Sequence, residues 1–254
     1  EAGAFRGRRR IARIPGVDEH ADTLHAAARQ LLETETLLGG DMVLPAGRNP
    51  LPVPDATSPT GGADMDADAK AEALAELEQE VRRCERCGLC GSRTNVVFGE
   101  GDPSADILFV GEAPGQEEDR QGRPFVGRAG ELLTKMIEAM GLSREQVYIG
   151  NVLKCRPPNN RTPAADEVAA CWGHLVDQLA IIRPKVIITM GNPATRTLLD
   201  TRAGITRLRG QWQSLPEIGE GLGGTPVMPT FHPAYVLRQY TPDVRGKVWS
   251  DLRK

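Results

Sequence analysis

The sequence predicts an α/β fold of three layers, a central four-stranded parallel sheet with helices on both faces. Three observations predict it. Short apolar runs recur at Ile107-Leu108-Phe109-Val110, Val147-Tyr148-Ile149, Val186-Ile187-Ile188-Thr189-Met190 and Val227 to Thr230. The segments between them carry helical periodicity and helix-stop residues. Strands separated by helical crossovers pair in parallel and are covered on both faces. The chain has 254 residues, enough for one substantial domain and an appendage.

Residues 1–68 read as an N-terminal extension and residues 69–254 as the domain proper. Asp22 to Leu38 places Leu24, Ala28, Leu31 and Leu32 at helical spacing, and Pro45 to Asp68 is a flexible linker poor in large apolar residues. Ala69 to Arg83 carries Leu74, Leu77 and Val81 on one stripe and runs into Cys84. A loop rich in Gly and Pro follows the first strand, then a helix from about Gly130 to Met140, stopped by Gly141. The second strand ends at Gly150-Asn151. Thr162 and Pro163 read as cap and first turn of a long helix to about Ile182. Pro193 to Leu199 forms a short helix behind the third strand. Tyr235 onward is helical or turn-like, and Val244 to Lys254 is a last helix. A chain opening at Glu1 and closing inside a helix suggests a missing N-terminus and an end close to the natural C-terminus.

Composition excludes several classes. No apolar run approaches the ~20 residues of a membrane span, and Arg6-Gly7-Arg8-Arg9-Arg10 lacks the apolar stretch of a signal peptide. Five cysteines, an odd number in a long chain, argue against a secreted disulfide framework and for a reducing, cytoplasmic setting. The net charge of −3 is unevenly spread: residues 1–80 hold 8 basic and 15 acidic residues, residues 81–254 hold 23 and 19. The mildly basic remainder is compatible with phosphate contact, as it is with an ordinary solvated surface.

In parallel sheets, ligands bind beyond the carboxyl ends of the strands, and the unusual residues cluster there. Gly111-Glu112-Ala113-Pro114-Gly115 follows the first strand, Asn151 the second, Gly191-Asn192 the third and His232-Pro233 the fourth. The first loop lacks the Gly-Lys-Ser/Thr end of a phosphate loop, and its Glu117-Glu118-Asp119 run would repel phosphate. Phe125, set among glycines, suits a stacking platform for a flat ring as well as a plug for the core. Asn151 offers an amide donor and acceptor side by side, which fits a pyrimidine edge, although Asn more often serves a turn. His232 can donate to an oxygen that gains negative charge. Cys84 and Cys87 form a Cys-x-x-Cys knuckle, with Cys155 and Cys171 far downstream and Cys90 spare. Their irregular spacing fits an iron–sulfur cluster better than the paired knuckles of zinc, and buried free thiols remain the plain alternative.

Taken together, these residues resemble the iron–sulfur, family 4 branch of the uracil-DNA glycosylases. The resemblance runs over about residues 70–254. It is carried by Cys84-x-x-Cys87 with Arg93-Thr94-Asn95, Gly111 to Gly115, Gly122-Arg123-Pro124-Phe125-Val126-Gly127-Arg128-Ala129-Gly130, Asn151 to Arg161, Cys171 and Phe231-His232-Pro233-Ala234-Tyr235. It implies an enzyme that removes uracil from DNA, single- or double-stranded, by hydrolysing the N-glycosyl bond, and a monomer is expected. It also implies a [4Fe-4S] cluster held by Cys84, Cys87, Cys155 and Cys171. Position by position, it implies that Phe125 stacks on uracil, Asn151 pairs with its edge, Glu118 excludes the thymine methyl and His232 bonds O2. The Glu112–Ala113 backbone would lie near the attacking water. Ala113 stands where other branches place an Asp, so no carboxylate base is expected there. Tyr235, Val236, Leu237 and Arg238 are expected to wedge into the base stack. Arg82, Arg83 and Arg86, near the cluster, are expected to meet phosphate. An iron–sulfur electron carrier and a DNA-binding scaffold without catalysis are the competing readings.

Overall fold

A computed structural model describes residues 65–219 and 221–254. The expected helix at Asp22 to Leu38 and nearly all of the linker lie outside the described residues. The linker's last residues are already helical: α1 (Ala67–Arg82) starts two residues earlier than expected, and Asp66 caps it by accepting the Ala69 amide at 2.8 Å.

Six strands form one sheet. They are β1 (Glu100–Gly101), β2 (Ile107–Gly111), β3 (Tyr148–Asn151), β4 (Val186–Met190), β5 (Gln213–Ser214) and β6 (Pro226–Thr230), in the spatial order β1-β3-β2-β4-β6-β5. The four expected strands are the parallel centre, β3-β2-β4-β6. The two-residue edge strands pair antiparallel with β3 and β6 and were not expected.

The helices between them are α2 (Gln116–Gln121), α3 (Arg128–Ala139), α4 (Ala165–Ile182), α5 (Asn192–Leu199), α6 (Ile205–Leu208), α7 (Pro233–Arg238) and α8 (Pro242–Leu252). Successive strand residues point to opposite faces, and the core divides accordingly. Leu108, Val110, Tyr148, Ile187 and Val227 pack with residues of α1, α4 and α5. Phe109, Ile149, Ile188, Met190 and Met228 pack with residues of α3, α7 and α8. This is the three-layer arrangement expected. Tethers reinforce it: Lys70 Nζ donates to the Ile182 carbonyl at 2.9 Å, joining α1 to the end of α4. Thr230 Oγ1, at the end of β6, donates to buried Asp251 of α8 at 2.7 Å, and Arg209 pairs with the same carboxylate.

The long helix does not start at Thr162. Its cap is Ala164, whose amide donates to the Glu167 carboxylate at 2.8 Å, while Arg161 grips that carboxylate with both terminal nitrogens at 2.8 and 2.6 Å. An acid reaching back from the first turn replaces the expected hydroxyl cap. Among the described residues no helix is long and apolar enough to cross a membrane.

Candidate active site

The loops after β2, β3 and β6 enclose a cleft of about 270 Å³ lined by Glu112, Ala113, Glu118, Phe125, Asn151 and His232, with Arg161 and Arg238 at its margin. All six residues expected to touch or flank the base therefore meet in one place. The third strand end does not join them. The Asn192 side chain instead accepts the Ile205 amide at 3.0 Å, capping α6. Gly191 still matters: its φ of 87° favours glycine, and a Cβ there would lie 3.0 Å from His232 Cβ.

Strand pairing fixes Asn151. It is the last residue of β3 and lies directly opposite Gly111. The pairing continues beyond the strands, with Val152 and Leu153 amides donating to the Gly111 and Glu112 carbonyls at 3.0 Å each. The Asn151 side chain is buried, and its Oδ1 has no hydrogen-bond partner. A buried amide oxygen left unpaired costs roughly 1–3 kcal/mol, which marks a group waiting for a ligand donor.

Phe125 stands beside it. A Cβ on Gly111 would lie 2.6 Å from Phe125 Cζ and 2.3 Å from Asn151 Oδ1, so only glycine lets ring and amide come this close. The Phe125 ring joins the core of its sheet face and lines the cleft as well, so the two sequence readings of this residue are compatible. Its backbone is left-handed, with φ 51°. That conformation costs a residue other than glycine about 1–2 kcal/mol and persists only where neighbours hold it.

Glu118 lies on α2, so the acidic run is a helix rather than a solvated loop. Glu118 Oε1 accepts the Val126 and Gly127 amides at 3.0 Å each, which pins the loop carrying Phe125. Asp119 turns inward and accepts the Thr94 and Asn95 amides at 2.9 and 3.3 Å. Glu112 is half-buried, and burial raises its carboxyl pKa.

His232 is the cap of α7. Its Nδ1 accepts the Ala234 amide at 3.1 Å, so the neutral ring carries its hydrogen on Nε2. Burial, with nearby Arg238 adding to it and Glu118 opposing, lowers the pKa to about 4. The imidazole is therefore neutral near pH 7 and donates from Nε2. Its ring centroid is 5.7 Å from that of Phe125, tilted by 33°.

The expected wedge needs correction. Because residues 233–238 form a helix, one face of it, carrying Pro233 and Val236, points inward. Val236 is buried in the core, which takes it out of the expected wedge, while Leu237 is half-buried and packs partly against the core. Tyr235 and Arg238, three apart, share the outer face and are exposed. Of the three arginines expected to meet phosphate, Arg82 and Arg86 pair with Glu78 and Glu80 at 2.6 and 2.9 Å. The expectations also passed over Asn160 and Arg161, which line the cleft from within the Asn151 to Arg161 motif.

A second pocket lies at the start of the domain. All five cysteines, Cys84, Cys87, Cys90, Cys155 and Cys171, line it, together with Arg93 and His174. No disulfide joins them. Three of the sulfurs have nitrogen partners at 3.3 Å: Arg93 Nη1 donates to Cys155 Sγ, the Lys154 amide donates to Cys171 Sγ, and His174 Nε2 contacts Cys84 Sγ. Burial pushes the Cys155 thiol up to about 11. Among the described residues no three His, Cys, Asp or Glu side chains gather tightly enough to hold one metal ion. A ring of thiols with N–H donors aimed at sulfur fits a thiolate-held cluster, whose ligands stand around several irons rather than one.

The two pockets are joined through Lys154. Its backbone bonds Cys171, and its wholly buried Nζ donates to the Asn151 carbonyl at 2.8 Å and to Gln178 Oε1 at 2.5 Å.

Comparison with known proteins places this geometry. Residues 98–253 match the model of the uracil DNA glycosylase superfamily. A type-4 uracil-DNA glycosylase of Thermotoga maritima is 47% identical, over 73% of this chain and 94% of the relative. The type-4 enzyme of Sulfurisphaera tokodaii is 46% identical, over 72% of this chain and 83% of its own length. That of Archaeoglobus fulgidus is 45% identical, over 72% and 92%.

Proposed function

Because the chain belongs to the uracil-DNA glycosylase superfamily and acts as a uracil-DNA glycosylase, we propose that Phe125, Glu118, Asn151 and His232 hold an extruded uracil in the cleft at the strand ends. There its N-glycosyl bond is hydrolysed and an abasic site is left. One observation carries the assignment: an unpartnered buried amide, an aromatic ring and a neutral imidazole converge on one cleft.

Bringing uracil out of the stack costs a few kcal/mol, which stacking on Phe125 offsets by about 1–3 kcal/mol. Asn151 Oδ1 accepts N3–H of uracil and its amide N–H donates to O4, the pattern cytosine does not offer. Glu118, anchored by the Val126 and Gly127 amides, stands where a methyl at C5 would intrude. As the C1′–N1 bond lengthens, the sugar gains oxocarbenium character and the base gains negative charge. His232 Nε2–H donates to O2 as that charge builds, a contribution worth about 3 kcal/mol. Water attacks C1′ beside the Glu112–Ala113 backbone. Ala113 supplies no base, so the rate comes mainly from stabilising the leaving group.

We further propose that Cys84, Cys87, Cys155 and Cys171 hold a [4Fe-4S] cluster, with Cys90 not required. When bound, the cluster serves as a cross-link between the end of α1 and the segments carrying Cys155 and Cys171. The N–H donors on Cys155 and Cys171, and the His174 contact to Cys84, support this. We place the glycosylase domain at residues 69–254, behind an extension of residues 1–68. Five free thiols support a reducing, cytoplasmic setting, and we propose that the enzyme acts as a monomer.

The test is uracil release from a single-stranded oligonucleotide with one deoxyuridine. Asn151→Ala should lose about 10²-fold and His232→Ala about 10²–10³-fold. Wild-type rates in folded variants would show that neither this amide nor this imidazole acts on the base.

A further inference from the structure

Phe125 keeps an unfavourable backbone, and Glu118 holds only the amides that follow it. Something else must hold its carbonyl. That group is Arg144, in the short 3₁₀ turn Arg144–Gln146 ahead of β3. Arg144 Nη1 donates to the Phe125 carbonyl at 3.1 Å and to Thr134 Oγ1 at 3.2 Å. Nη2 donates to the Pro124 carbonyl at 2.9 Å. Glu100 of β1 pairs with the same guanidinium, with Nε donating at 3.1 Å, and Glu100 also takes Arg123 at 2.8 Å. Gly130 also closes in: a Cβ there would lie 1.8 Å from the Phe125 carbonyl oxygen. The carbonyl is thus gripped between the first turn of α3 and a guanidinium of which every nitrogen is engaged. Arg144 does not line the cleft, so its influence on a bound base passes through Phe125.

We propose that Arg144, braced by Glu100, is a positioning residue that locks the Pro124 and Phe125 carbonyls and thereby holds the Phe125 ring at the angle a flipped base requires. This rests on the reading of Phe125 as the stacking platform. The planar fork is essential to it, since lysine keeps the charge but presents one point donor and cannot serve two carbonyls and a carboxylate in fixed directions.

The experiment measures the inhibition constant of free uracil, which reports base binding apart from DNA docking and flipping and does not depend on the fraction of active enzyme. Phe125→Ala should weaken uracil about tenfold. Arg144→Lys should weaken it about three- to tenfold, and Glu100→Gln in the same direction by less. The double variant Phe125→Ala/Arg144→Lys should be no weaker than Phe125→Ala alone, because both changes remove one interaction. An unchanged constant in Arg144→Lys and Glu100→Gln, with the loss in Phe125→Ala intact, overturns the inference alone, as does full additivity in the double variant. An unchanged constant in Phe125→Ala overturns the stacking reading, and the inference falls with it.

Discussion

Uracil release should be indifferent to pH across the range in which an ordinary histidine titrates. An unperturbed imidazole is half protonated near pH 6.5. His232, with its pKa lowered to about 4, carries a second proton in only about one molecule in a hundred at pH 6. Adding that proton would take the Nδ1 lone pair that accepts the Ala234 amide, and α7 would lose its cap. The sign for stability follows. Below about pH 6.5 the unfolded chain binds a proton at this position that the folded one refuses, so stability falls as pH drops toward about 4. Catalysis uses the neutral Nε2–H and should hold over the same interval. A donor aimed at a developing oxyanion is worth about 2.7–4 kcal/mol. His232→Ala should therefore slow release about 10²–10³-fold, by the same factor at every pH. His232→Gln, which keeps an N–H but cannot titrate, should fall between. The assay is single-turnover release with enzyme in excess, between about pH 5 and pH 8. An inflection near pH 6.5 in the wild type that vanishes in His232→Gln would show that the imidazole ionises during turnover, and the reasoning would fail.

Gly111→Ala should cost about 10²-fold in rate and roughly 1–3 kcal/mol in stability, since its methyl would displace both Asn151 Oδ1 and Phe125; wild-type kinetics in this variant would mean that ring and amide need not adjoin. Stripping iron with a chelator, or Cys155→Ser, should abolish visible absorbance and lower the melting temperature by several degrees. A colourless Cys155→Ser protein of unchanged melting temperature would separate the thiols from any structural cluster.

The central strands were legible because Ile107 to Val110 and Val186 to Met190 are apolar runs too short for helices and rich in β-branched residues. The edge strands were not. Glu100-Gly101 and Gln213-Ser214 have no apolar alternation, and they exist because neighbouring backbones offer unpaired groups. At Gly101 the approach is so close that a Cβ would sit 1.8 Å from the Val147 carbonyl oxygen. The start of α4 was misplaced because Thr162 looks like a hydroxyl cap, while the cap made by Glu167 depends on a side chain folding back. In the site, Asn151, Phe125 and His232 could be read because strand ends in a parallel sheet have a known use. Val236 was misjudged because which face of the short helix Pro233–Arg238 turns inward depends on its packing against the sheet. The grip of Arg144 on Phe125 and Glu100 joins segments whose meeting depends on the tertiary fold and could not be read from spacing.

The placement of the site has an evolutionary consequence. The groups placed against the base stand at or just beyond the carboxyl ends of strands, while the two innermost strands, β2 and β4, are almost wholly apolar. Selection can therefore rewrite which damaged base is accepted by exchanging a few connector residues, with the load-carrying layers left untouched. A laboratory search for altered base preference is best confined to residues 112–118, 123–127, 151–161 and 232–238.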